Sequence, residues 1–247
     1  MTVGHLDNSD INAGVAAGKQ WVRVKLHPSV PDAHAAELYR TSIKFTGPKW
    51  APSVAGLLQQ QMSPAGGIVR YSTRVSLFTG EGSQKHSGVQ EAGIVLLAEA
   101  TGPSEFNSTF VGVRFDENRL RPKGSLIYSV GDGRKKYRNK TEVSDTVLPF
   151  RITEGEFEIV VEHDVAKNVL RRIQINGFDV TDRWSMQDRT QRISRGLFGL
   201  RSAIQNTNPW VHLQQFYWSY RVEALEPITF GESFARASSA AARPRAR

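Results

Sequence analysis

The sequence predicts an all-β chain folded as an antiparallel β-sandwich with extended N- and C-terminal arms, and three observations predict it. First, Phe157, Ile159 and Val161 alternate with Glu156, Glu158 and Glu162, the period of two of a strand with one buried and one wet face. Second, Asn176-Gly177 supplies the positive φ angles that a tight two-residue hairpin needs. Third, the same grammar recurs along the chain with turn residues between the runs, giving roughly ten to thirteen strands at sandwich spacing. No long helical pattern and no fixed-period repeat interrupts it.

Taken in order, residues 1–19 read as a loose N-terminal arm of polar and small residues, and Trp21 to Leu26 as a first strand. Asp32 to Leu38 has a helix-start pattern, with Asp32 as N-cap after Pro31. Pro48, Pro52 and Pro64 argue against a long regular element across that region. From Ile68 strand patterning takes over, with Tyr71, Thr73, Val75 and Leu77 alternating against Ser72, Arg74 and Ser76. Ala92 to Ala98 is continuously apolar, as expected of a central strand covered on both faces. Runs follow at Thr109–Phe115, Ser125–Val130, Val147–Ile152, Glu156–Glu162, Val169–Ile175, Phe178–Val180, Gly196–Arg201 and Val211–Ala224. The sandwich is expected over residues 20–232. Residues 233–247, rich in Ala, Ser, Arg and Pro without apolar periodicity, form a basic low-complexity tail that should not fold alone.

Composition narrows the function classes. Hydrophobic residues at 39% of 247 suffice for one sizeable core. With no cysteine there is no disulfide framework, thiol nucleophile or thiolate metal site. The opening MTVGHLDNSDINAG lacks the basic start and apolar stretch of a signal peptide, and Ala92 to Ala98 is too short to insert in a membrane. A virion or cytoplasmic location is therefore expected. The net charge of +8 is concentrated in the tail and in Arg134, Lys135, Lys136, Arg138 and Lys140, a run with Tyr137 in its middle, leaving the remaining chain near neutral.

Phe157-Glu158-Ile159-Val160-Val161, Ile173-Gln174-Ile175-Asn176-Gly177, Gly196-Leu197-Phe198-Gly199-Leu200, the aromatic strand Val211 to Val222 and the paired runs from Tyr71 to Ala98 together resemble the concanavalin A-like lectin/glucanase superfamily over residues 68–225. The resemblance implies a jelly-roll topology. It also implies a choice among lectins, adhesion modules, glycoside hydrolases, polysaccharide lyases and virion-associated modules, which fold alone does not make.

Catalytic candidates are sparse. The glucanase pattern Glu-x-Asp-x-x-Glu is absent, and its nearest approach is Glu154, Glu156 and Glu158, with alternate Cα atoms about 6.6 Å apart on one strand face. His163-Asp164 has the composition of a base and its orienting partner, but neighbouring strand residues diverge. Tyr217, His212, Gln214 and Arg221 match the residue types of a lyase, yet alternation divides them between two faces. No catalytic residue is assigned and no cofactor is expected. Asp179, Asp182 and Asp188 could hold calcium, although solvated loop acids are the better reading.

Binding candidates are stronger. Alternation puts Phe216, Trp218 and Tyr220 on one face of the last strand and Tyr217 on the other. Trp184 and Trp210 sit at turns. Trp184, Trp210 and Tyr217 are the candidate carbohydrate platform. Arg134, Lys135, Lys136, Tyr137, Arg138, Lys140, Arg243, Arg245 and Arg247 are candidates for contacting an anionic polymer or a protein partner. The expected function is a non-catalytic, lectin-like binding or structural module of a larger assembly, such as a phage or virus particle. Its expected partners are other subunits reached through the terminal arms and cell-surface glycans; nucleic acid is a weaker candidate. The alternative is a polysaccharide-cleaving enzyme of the same fold.

Overall fold

The structure, a computed structural model, describes residues 2–6, 21–25, 36–39, 42–46, 52–62, 64–78, 88–102, 105–116, 125–130, 140–143, 155–185, 189, 196–206 and 213–227. Its strands are β1 (Thr2–Leu6), β2 (Trp21–Lys25), β3 (Ala36–Tyr39), β4 (Ser42–Thr46), β5 (Pro52–Met62), β6 (Ile68–Phe78), β7 (Gly88–Gly102) and β8 (Glu105–Asp116). They continue with β9 (Ser125–Val130), β10 (Lys140–Val143), β11 (Glu156–Asp164), β12 (Val169–Ile175), β13 (Phe178–Asp179), β14 (Leu197–Asn206) and β15 (Gln214–Ala224). Sheet A runs in the order β13-β12-β11-β6-β15-β4-β3, with β1 also paired to β15, and sheet B runs β10-β9-β8-β7-β14-β5-β2. Every pairing is antiparallel.

The two sheets differ as their sequences do. In β6, Val69, Tyr71, Thr73, Val75 and Leu77 are buried while Arg70, Ser72, Arg74, Ser76 and Phe78 turn outward. Each period-two strand of sheet A thus leaves one face to solvent. β7 carries the continuous apolar run, and Ala92 to Ala98 are buried on both faces. Between the sheets Tyr71 meets Phe198 edge-on at 6.0 Å; within sheet A, Phe45 of β4 meets Tyr217 of β15 at 5.5 Å. Asn176 and Gly177 take φ of 51° and 81°, so the β12–β13 hairpin is the turn the dipeptide predicts.

Four expectations change. Residues 2–6, expected within a loose arm, form β1 against β15. Ala36–Tyr39 is a strand paired to β4, Tyr39 facing Ser42, so a local hairpin overrides the helix pattern; residues 32–35 lie outside the described residues. The prolines do not prevent β5, because Pro52 is its first residue and Pro64 lies beyond its end, where a missing N–H does not break the ladder. In β15 the pairing with β6 shifts between Tyr217 and Ser219. This bulge inserts one residue and reverses the parity after it, so Gln215, Tyr217, Tyr220 and Val222 all point inward. The run Val147–Ile152 lies outside the described residues.

Candidate functional site

The structure withdraws two of the three predicted carbohydrate-binding residues. Trp184 follows a 3-10 turn, Thr181–Arg183, and is 2% exposed within the core. Local polar contacts set that turn. The Thr181 hydroxyl accepts from the Ile173 N–H at 2.8 Å and donates to Asp179 Oδ1 at 2.6 Å, which folds Val180 and Trp184 inward. Tyr217 is also interior, 1% exposed. Its hydroxyl accepts from the Gly93 N–H at 2.9 Å and donates to the Arg201 carbonyl, and burial pushes its phenol pKa up. A turn position does not imply exposure when the turn closes over the core. Trp210, His212, Arg134, Lys135, Lys136, Tyr137, Arg138, Arg243, Arg245 and Arg247 lie outside the described residues, and Lys140 enters only as the first residue of β10, opposite Ser129.

The acids do local structural work. Asp179 accepts from both Thr181 groups and from Arg172 Nε at 3.1 Å. Burial alone would raise its carboxyl; those hydrogen bonds and the Arg172 charge outweigh it and hold the pKa low. Asp182 is exposed and Asp188 lies outside the described residues. Among the described residues no three His, Asp or Glu side chains gather as a metal site. Glu156 pairs with Arg74, and Glu162 with Arg70 at 2.7 Å. His163 and Asp164 take separate partners in the β11–β12 turn. His163 Nε2 lies 3.2 Å from Asn168 Oδ1, and Asp164 accepts from the Lys167 N–H at 3.0 Å. Burial lowers the His163 pKa to about 4, offset in part by Asn168 and Asp164.

The Tyr217, His212, Gln214 and Arg221 set fares no better as a lyase site. The bulge leaves Gln214 half-buried and Arg221 exposed, while Tyr217 points into the sandwich.

What sequence alternation missed lies on the outer face of sheet A. Phe216 and Trp218 are half-buried there, with ring centroids 6.1 Å apart and planes within 23°. Trp218 Nε1 donates to Ser76 Oγ at 2.9 Å, and Ser76 faces Phe216 across the β6–β15 ladder. Phe78, 38% exposed, is opposite Gln214 in the same ladder. Lys44 faces Phe216 from β4, and Thr46 faces Gln214. The result is an aromatic strip bordered by hydroxyl, amide, ammonium and carboxylate groups, the mixture of apolar area and placed polar atoms that ligand surfaces use. Alternation put Phe216 and Trp218 on one face of β15, and the bulge turns Tyr220, expected beside them, into the core.

A second cluster is closed. Glu91, Phe110, Arg114 and Arg201 have the opposite parity to the core residues Ala92, Ile94, Val111 and Leu200, so they lie on the face of sheet B turned away from sheet A. The Arg201 guanidinium stands 4.2 Å from the Phe110 ring centroid. Glu91 pairs with Arg201 and with Arg114, both at 3.4 Å. Arg201 is 3% exposed and Glu91 5%, so this network organises the sheet and offers no open surface.

This architecture is shared with solved lectin domains. The carbohydrate recognition domain of Emp46p, in its metal-free form, superposes with a TM-score of 0.53 at 14% identity, over 83% of this chain and 88% of that one; the domain has also been solved in a potassium-bound form. The carbohydrate recognition domain of Emp47p gives 0.50 at 15% identity, over 81% and 93%. A legume lectin-like domain from Entamoeba histolytica gives 0.53 at 8% identity, over 90% and 94%. No family model and no curated protein sequence matches. The chain therefore has the concanavalin A-like jelly-roll fold, and the likeness is one of fold.

Proposed function

We propose that the chain is a carbohydrate-binding module whose ligand lies across Phe78, Phe216 and Trp218 on the outer face of sheet A. The observation that carries this reading is the near-parallel Phe216–Trp218 pair, with its indole nitrogen tied to Ser76. A flat ring stacks on the apolar C–H face of a pyranose, and the hydrogen bond fixes the indole before ligand arrives, lowering the ordering cost of binding. Gln214, Lys44, Thr46 and the Arg74–Glu156 pair supply donors and acceptors for sugar hydroxyls around it. The fold shared with carbohydrate recognition domains is consistent with this role. In the same reading the module serves a larger assembly such as a phage or virus particle. In this reading residues 233–247 serve as an arm that holds neighbouring subunits.

A glycan array followed by titration calorimetry tests the site. Trp218→Ala and Phe216→Ala should each weaken binding at least tenfold relative to the parent, as expected for losing an aromatic anchor of about 1.5–3 kcal/mol. Trp184→Phe, inside the core, should leave affinity unchanged. Glycan binding that survives both outer-face substitutions would place the ligand elsewhere.

A further inference from the structure

We propose that β1 is an exchangeable strand, and that its slot on β15 also accepts the β1 of a second copy of this chain. The argument starts from β15, which is held along its length by β6, from Gln214 opposite Phe78 to Ala224 opposite Val69. Its other edge is divided. β4 covers Gln214 to Tyr217, and β1 covers Tyr220 to Glu223. The shift in the β6 pairing between Tyr217 and Ser219 lies where one edge partner hands over to the other.

Tyr220 and Val222 are buried, and β6 fixes their strand, so the slot keeps its shape whether or not β1 occupies it. Vacated, it would present a row of unpaired N–H and C=O groups, which pair readily with any suitable strand. Among the described residues the one strand partner of β1 is β15, and the two are not joined by a hairpin, since β2 to β14 lie between them in the chain. Residues 7–20 separate it from β2, a tether reaching roughly 45–50 Å when extended.

The contacts made in trans are the same backbone bonds made in cis, so exchange gains and loses no pairing, and a reciprocal swap closes as a symmetric dimer. What favours the cis form is the effective concentration of the tethered strand, of millimolar order. Exchange is then minor in dilute solution and grows where copies are crowded.

The absence of native cysteine makes the test direct. His5 and Arg221 are register partners, at a separation a disulfide spans across paired strands. His5→Cys/Arg221→Cys in one chain should oxidise to a cross-linked monomer. His5→Cys mixed with Arg221→Cys at several hundred micromolar should accumulate a covalent heterodimer joined through positions 5 and 221, identified by peptide mass spectrometry, and accumulate it faster in mild urea. A double variant that closes in cis, with a mixture that yields no 5–221 link after days, would overturn the proposal. Failure of the double variant to close would remove the slot itself.

Discussion

His163 should make this fold acid-sensitive in a window set by one imidazole. The ring is fully buried, with Nε2 near Asn168 Oδ1 and Nδ1 without a hydrogen-bond partner. Burial depresses its folded-state pKa from 6.5 to about 4. Protons therefore bind the unfolded chain first, and the stability present above pH 6.5 is lost as pH falls toward 4. At 1.36 kcal/mol per pKa unit, the full span is about 3 kcal/mol, and about 2–3 kcal/mol of it is gone by pH 4.5. Asp179, whose pKa is held below the ordinary carboxylate value, loses its contribution as pH falls through and below that value, at the acid edge of this window. The informative quantity is thus a difference between two proteins. Urea unfolding at pH 7.5 and pH 4.5 should show the parent losing about 2–3 kcal/mol more than His163→Gln, whose amide keeps the size and a hydrogen bond but cannot protonate. Histidine proton NMR on the parent should show one ring titrating near pH 4. Equal losses in the two proteins, or every ring titrating near 6.5, would refute the reasoning.

Three further substitutions probe the packing of the sandwich and one of its turns. Tyr217→Phe leaves the Gly93 N–H and Arg201 carbonyl without the hydroxyl that serves both. It should cost about 1–3 kcal/mol, read as a lower urea midpoint with unchanged slope. Gly93→Ala would set a methyl carbon 2.6 Å from Gly112 Cα and 2.8 Å from Phe110 Cε2, in mid-sheet where backbone has no room to yield. It should cost about 3 kcal/mol or more; Gly177→Ala, with open space around it and φ of 81°, should cost about 1 kcal/mol. Similar midpoints for the two alanine variants would contradict the packing described for β7 and β8.

Strand identity was legible wherever one face meets water and the other meets the core, because solvation then writes itself into alternate residues. β6, β11 and β12 are the examples, and Asn176-Gly177 named its own turn. Three features were not legible. A bulge adds a residue without any compositional mark, so parity kept Tyr220 on the face of Phe216 and Trp218, whereas it points into the core. Trp184 reads as a loop aromatic because the contacts that bury it, Thr181 with Ile173 and Asp179, join segments by hydroxyl hydrogen bonds rather than by hydrophobic period. Pairing between distant segments, such as β1 with β15, leaves no local trace at all. The Glu91–Arg201 pair was hidden for the same reason, since its members lie 110 residues apart.

Gln215 and Tyr217 carry a consequence for how this sandwich moves. Sheets facing each other through aliphatic side chains have many nearly equivalent stackings and little to stop them sliding. Here an amide and a phenol from one layer reach main-chain atoms of the other: Gln215 Nε2 donates to the carbonyls of Glu91 at 3.1 Å and Ala203 at 3.3 Å, beside the Tyr217 contacts to Gly93 and Arg201. Displacing the layers by one residue would break all four bonds and bury their polar ends, so these side chains act as bolts that select a single stacking. Gln214, Phe216 and Trp218 alternate with the bolts on the same strand. The outer aromatic surface is thereby fastened through the core to the far sheet, and its geometry persists without a ligand to hold it.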